Sequence, residues 1–214
     1  MTVQDPHLHV STHPVIRSLL TEARDVRTGT DRFRQIIRRI SGLLGYEATR
    51  DVPTSPRTVP TPLEASDGVS LRLPLTVVPI LRAGLGMADG ITGVVPGAQV
   101  GHLGMFRDEK SLQPVSYYEN LPANIDQGPV LLVDPMLATG GSAVAALARL
   151  RERDCRDIRF ICVIAAPEGI ARVRKAEPHL PIYAGVVDRG LNALGYILPG
   201  LGDAGDRQFG TEPC

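Results

Sequence analysis

Residues Val130 to Ser142 read V-L-L-V-D-P-M-L-A-T-G-G-S, and no other stretch constrains the fold as tightly. Four consecutive apolar residues without alternation suit a short strand buried on both faces, the situation of a parallel sheet covered by helices on each side. Asp134 stands where that run ends. The small residues Ala138, Thr139, Gly140, Gly141 and Ser142 then let backbone N–H groups crowd around one anion. An Ala-rich segment, Ala143 to Arg153, reads as a helix whose positive end faces the same point. Strand, acid, small-residue turn and helix in this order suit a sugar phosphate, the carboxylate taking hydroxyls and the turn taking the phosphate. An ordinary βα turn of a doubly wound sheet is the competing reading. The stretch is not a Walker loop, since Gly141 rather than lysine precedes Ser142, and it does not match G-x-G-x-x-G.

The rest of the chain supports an α/β architecture. Buried strands are expected at Leu75–Leu81, Gln99–Phe106, Ile158–Ala165 and Ile182–Val187, with Arg82–Met87 opening a short helix to about Gly93 and a second helix spanning Glu168–Ala176. Strands alternating with helices imply a central, mostly parallel sheet flanked by helices. Before this core, apolar residues Phe33, Ile36, Ile37, Ile40, Leu43 and Leu44 recur at helical spacing, with Arg32, Arg34, Arg38 and Arg39 on the opposite, solvated face. Pro53, Pro56, Pro60 and Pro62 exclude a helix and suit an extended arm or edge hairpin over 52–73. The polar stretch Arg107–Leu121 reads as an irregular flap.

The start, residues 1–13, carries His7, His9 and His13 in a polar context and reads as a frayed end rather than a metal site. The tail from Gly190 to Gly210 holds six glycines in 21 residues, too many for a well-packed helix. Its apolar anchors Tyr196, Ile197, Leu198, Leu201 and Phe209 nonetheless point to an ordered loop whose backbone approaches a ligand closely. A single domain is expected over 1–214, with helices in 14–51, the arm in 52–73, the core in 75–188 and a binding loop in 189–210.

Composition excludes several classes. The formal net charge is zero, from 23 basic and 23 acidic residues, which argues against a surface devoted to nucleic acid. No apolar run reaches the length of a membrane span and Met1–Val10 has no signal-peptide pattern, so a cytoplasmic protein is expected. Cys155, Cys162 and Cys214 lack C-x-x-C spacing and read as reduced thiols.

Five stretches together carry a resemblance: Y-E-A-T-R-D at 46–51, V-V-P-I-L-R-A-G-L-G-M at 77–87, M-F-R-D-E at 105–109, D-P-M-L-A-T-G-G-S at 134–142 and G-Y-I-L-P-G-L-G-D-A-G-D-R at 195–207. They resemble the uracil phosphoribosyltransferases, a branch of the type I phosphoribosyltransferases, over nearly the whole chain. Most type I members carry two adjacent acids after the strand; here Pro135 takes the second place, as in the uracil branch. The resemblance implies the type I fold with a C-terminal base-binding loop. It also implies a pentosyltransferase of pyrimidine salvage that converts uracil and 5-phosphoribosyl 1-diphosphate (PRPP) to UMP and diphosphate.

The same resemblance assigns roles residue by residue. PRPP falls to Arg82, Arg107, Asp134, Pro135, Met136, Leu137, Ala138, Thr139, Gly140, Gly141, Ser142 and Asp203, and uracil to Ile197, Gly202, Asp203 and Ala204. Arg107, Asp134 and Asp203 are the catalytic candidates. Mg²⁺ is implied as cofactor, held mainly through the diphosphate with Asp203 nearby, along with a homo-oligomer (dimer or tetramer) and GTP as an effector. Phe106, Lys110, Gln113 and Ala193 depart from the residues common in the family, and none falls on an assigned contact. A non-catalytic, nucleotide-responsive regulator on the same fold is the alternative; the intact Arg82, Asp134 and Asp203 set argues against it.

Overall fold

The structure, a computed structural model, describes residues 5–72, 74–107 and 114–211, with the side chains of Phe106, Arg107, Pro114 and Ser116 outside that description. In chain order the elements begin with β1 (Leu8–Val10), α1 (Pro14–Arg24), α2 (Thr30–Ala48), β2 (Thr54–Pro60) and β3 (Ala65–Leu71). The core continues with β4 (Thr76–Leu81), α3 (Leu85–Thr92), β5 (Gln99–Val100), β6 (His102–Arg107) and β7 (Pro114–Asn120). Then follow β8 (Val130–Val133), β9 (Met136–Leu137), α4 (Gly141–Arg151), β10 (Ile158–Ala165), α5 (Pro167–Ala176) and β11 (Ile182–Val187). The chain closes with β12 (Gly190–Leu191), β13 (Ile197–Leu198) and α6 (Ala204–Phe209).

The main sheet runs β1-β11-β10-β8-β4-β6-β7, parallel except for the antiparallel edge pair β6–β7. Its central strands are apolar on both faces, as the unbroken apolar runs require. Val77, Leu131, Val133 and Ile161 face one layer built from α1, α2 and α3, through Phe33, Ile36, Ile40 and Met87. Val78, Ile80, Leu132 and Phe160 face the other, against Leu147 and Leu150 of α4 and Val173 of α5. Strands β4 and β8 are neighbours from which the chain winds in opposite directions, so the crevice beyond their carboxyl ends is where ligands bind in open α/β sheets.

Three expectations need correction. The N-terminal stretch is not frayed from Asp5 onward: β1 pairs in parallel with β11, and Asp5 reaches Arg174 at 2.6 Å to tie it down, while residues 1–4 lie outside the described residues. Its histidines act locally, with His13 Nδ1 accepting from Val15 N at 3.2 Å to cap α1, and His9 stacking on Tyr183. The polar 107–121 stretch is half strand, because β7 pairs with β6 from Arg107↔Pro114 to His102↔Asn120; residues 108–113 lie outside the described residues. The glycine-rich tail ends in a short helix, α6, whose first turn is capped by Asp203. The 52–73 region is a separate two-stranded hairpin, β2 with β3, exposed along nearly its whole length.

Candidate active site

At the end of β8 the ladder with β10 is interrupted at Asp134-Pro135. Pro135 has no N–H, and its carbonyl accepts from both Val163 N and Ile164 N at 3.0 Å before pairing resumes at Met136↔Ile164. That break turns Asp134 out of the sheet at the head of the crevice. The chain from Met136 to Ala143 then curls into a concave turn of about 90 Å³ with Asp134 on its wall. Gly140 sits in the left-handed region at φ 75° and caps α4, so the N–H groups of the first helical turn face the concavity without intrahelical acceptors.

Asp134 keeps an accessible edge, but its carboxyl lies among protein atoms. Burial pushes its pKa up to about 7; an N–H bond from Met136 opposes this, and the charge of Asp203 adds to it. Asp203 comes from the far end of the chain. It caps α6 by accepting from Asp206 N at 2.9 Å, which places its carboxylate within electrostatic reach of Asp134.

The third wall is the turn after β4. Arg82 follows a cis peptide from Leu81, and its guanidinium lies 3.7 Å from Asp206 with more than half of its side chain exposed. Gly84 in this turn has no room for a side chain, since a Cβ would sit 2.6 Å from the Val133 carbonyl and 2.8 Å from that of Ile80. The R-A-G turn is therefore pressed against the end of β8.

The C-terminal loop is held by a polar frame. Arg24 donates to both carboxylate oxygens of buried Asp188 and to the Gly200 carbonyl at 2.6 Å, while Gly200 N donates to Asp188 at 3.0 Å. Arg207 lies 4.2 Å over the Phe33 ring and donates to the carbonyls of Leu201 at 2.8 Å and Asp25 at 2.9 Å. Asn192 Oδ1 accepts from Leu194 N and Tyr196 N, closing the turn between β12 and β13. Gly190, Gly195, Gly200 and Gly202 all have positive φ, the conformational reason for the glycine density.

Asp134 to Ser142, Arg82 and the Gly202–Ala204 segment with Asp203 thus converge beyond the carboxyl ends of β4 and β8. Ile197 is 6 % exposed and packs in the core with Leu201 and Ala204. Arg107 ends β6, next to β4 in the sheet, and its side chain lies outside the described residues. Sequence reasoning missed Arg24, Asp188, Arg207 and Gln208, which tie the C-terminal loop and the Arg82 turn to the rest of the fold. An arginine in the last turn of a helix far from the loop gives no local signal of such a role. Among the described residues no cluster of three or more His, Cys, Asp or Glu could hold a metal by itself, and no helix is long and apolar enough to cross a membrane.

A family model described as uracil phosphoribosyltransferase matches residues 10–211. A uracil phosphoribosyltransferase from Bacillus licheniformis is 50 % identical over 206 residues, covering 96 % of this chain and 99 % of that protein. A solved structure of an Aquifex aeolicus protein superposes with TM-score 0.91 at 36 % identity, over 97 % of this chain and 100 % of that one. A hypoxanthine phosphoribosyltransferase from Staphylococcus aureus shares the fold at TM-score 0.53 and 16 % identity, over 85 % of this chain and 84 % of that one. With the Asp134–Ser142 turn, the R-A-G turn and the C-terminal loop assembled at one crevice, and a family match from residue 10 to residue 211, this chain belongs to the uracil phosphoribosyltransferase family.

Proposed function

We propose that the chain transfers the 5-phosphoribosyl group of PRPP to N1 of uracil, giving UMP and diphosphate. One observation carries the reading: Asp134 at the phosphate turn feels the charge of Asp203 at the C-terminal loop, 69 positions further along the chain, across a single crevice. A sugar phosphate seated in the Ala138–Ser142 turn presents its ribose hydroxyls to Asp134 and its anomeric carbon toward the C-terminal loop. Uracil then lies against the backbone of Gly202–Ala204 over Ile197. As the bond to diphosphate breaks, negative charge builds on the leaving group, and Arg82, with Arg107 by family resemblance, stabilises it electrostatically.

Mg²⁺ fits this donor set. Asp134 and Asp203 offer hard oxygen ligands, but two carboxylates alone do not make a protein cage, so the ion would be held largely by the diphosphate with these groups beside it. When bound, it would neutralise leaving-group charge. The reading also includes a cytoplasmic setting, a homo-oligomer (dimer or tetramer) and GTP as an effector, all on family resemblance. No feature of the site favours the non-catalytic regulator. The deciding assay is Mg²⁺-dependent formation of UMP from uracil and PRPP by the purified chain; absence of turnover would overturn the reading.

A further inference from the structure

Gln208 lies in α6, fully buried, and takes no part in the contacts assigned above. Its side-chain Nε2 donates twice: to the Ala83 carbonyl at 2.9 Å and to the Ala204 carbonyl at 3.0 Å. Ala83 directly follows Arg82, and Ala204 directly follows Asp203. One amide therefore bridges the turn assigned to the diphosphate and the loop assigned to the base, whose bridged carbonyls, Ala83 and Ala204, lie 121 positions apart in sequence. Behind the amide there is no slack. Gly86 packs so closely that a Cβ on it would lie 2.2 Å from Gln208 Oε1, and the Gln208 backbone carbonyl accepts from Arg34 Nε at 3.1 Å.

The arrangement is a poor one for stability alone. Gln208 Oε1 is buried with no hydrogen-bond partner, which a folded core tolerates at a cost. An apolar residue of similar size would remove that orphan acceptor. It would also release the Ala83 carbonyl, so the two changes in stability oppose each other, while the tether between the two turns would be lost outright.

We propose that Gln208 is a positioning residue, whose amide makes the phosphoribosyl and base halves of the site one mechanical unit. The inference rests on the reading of the reaction given above. Substrate that orders the Arg82 turn also orders the Ala204 loop through this bridge, so PRPP prepares the base site for uracil. A further link between the same segments is weaker: a long ion pair from Arg82 to Asp206 at 3.7 Å.

The test is steady-state kinetics on the full-length chain with Gln208→Leu and Gln208→Met, each checked by thermal unfolding. Both variants lack the donor and keep most of the volume. The expected result is a rise of about tenfold in the KM for uracil, the scale of one lost hydrogen bond, with kcat and Tm little changed. The lowering of apparent uracil KM by rising PRPP should also be lost. Unchanged KM values in a wild-type background that forms UMP would overturn this inference alone. So would a fall in kcat that merely tracks lost folded protein. Absence of UMP formation by the wild type would overturn the reaction reading and this inference together.

Discussion

Arg24 and Asp188, 164 positions apart, form a two-point ion pair at 2.9 and 2.7 Å, and the same guanidinium holds the Gly200 carbonyl. Asp188 is buried, with its side chain 5 % exposed. Removing Arg24 leaves that carboxylate, among the described residues, with the N–H of Gly200. Arg24→Ala should therefore destabilise the protein by on the order of 3 kcal/mol, as for a broken buried pair. Arg24→Lys keeps the charge but not the two-point geometry and should lie between. Chemical denaturation of the two variants checks the order; equal stability of Arg24→Ala and wild type would show that the pair does not hold the loop.

Asp134 sets a pH dependence of opposite sign to the usual carboxylate. Its folded pKa, about 7, is well above the ordinary carboxylate value of 3.8, so the folded state binds the proton more tightly than the unfolded chain. The stabilisation is fully present below about pH 4 and is lost as pH rises to about 7. Because the group keeps an accessible edge, the loss is placed at about 1–3 kcal/mol. Asp134→Asn should flatten the dependence in this window and raise the stability of the ligand-free protein at pH 8. Calorimetry from pH 4 to 8 on both proteins measures it. A wild-type slope identical to that of the Asn variant would rule out this group as the source.

Gly140 tests the phosphate turn. A Cβ there would sit 2.9 Å from the Gly169 carbonyl on a backbone at φ 75°. Strain of ~1–2 kcal/mol for a left-handed non-glycine residue, before the clash is counted, should lower kcat/KM for PRPP by about tenfold or more in Gly140→Ala. On the proposed reading uracil is recognised at the C-terminal loop instead, so its KM at saturating PRPP should move less. An unaltered kcat/KM would show that the turn does not need this conformation.

How much of this was legible in the sequence follows from where the determining contacts lie. The strand at Val130–Val133, the acid after it and the small-residue turn are local, and each residue type carries its own reason. The edge strand at Leu8–Val10 was missed because three residues show no period, and its stability comes from Ile182–Ala184 and from the Asp5–Arg174 pair. β7 was missed because an edge strand with one exposed face carries polar residues. α6 was missed because its capping acid, Asp203, sits among glycines that suggest a loop. Arg24 and Gln208 act on carbonyls more than 120 positions away, a relationship no spacing encodes.

The hairpin of β2 and β3 makes a prediction about assembly. Two strands exposed on both faces are marginal on their own in water, and this pair presents Leu63 and Val69 at 97 % and 70 % exposure. A second copy covering that surface accounts for both facts. Sedimentation at micromolar concentration should show a species larger than the 23.0 kDa chain, and Leu63→Asp with Val69→Asp should weaken it. A purely monomeric wild type would count against the assembly.

Base choice can be tested at a single peptide N–H. Uracil offers two carbonyl acceptors flanking one N3–H donor, an edge that backbone groups match without side chains. Cytosine replaces O4 with an amine and loses the N3 proton, so a loop N–H meets a donor and a loop carbonyl loses its partner. Two buried mismatches at ~1–3 kcal/mol each should favour uracil by at least 10²-fold in kcat/KM. A small halogen at C5 alters neither acceptor nor donor, so 5-fluorouracil should be accepted. Ala204 supplies a clean probe, because it is the first residue of α6 and its N–H has no acceptor within the helix. Proline suits that first helical position, and Asp203 before it is already extended at φ −77°, ψ 116°, as a residue preceding proline must be. Ala204→Pro should therefore keep α6 while deleting the N–H, raising the KM for uracil; Ala204→Gly, which keeps the N–H, should leave the preference nearly intact. Cytosine turnover within about tenfold of uracil in the wild type, or an unchanged uracil KM in a folded Ala204→Pro variant, would sink readout by the backbone of this loop.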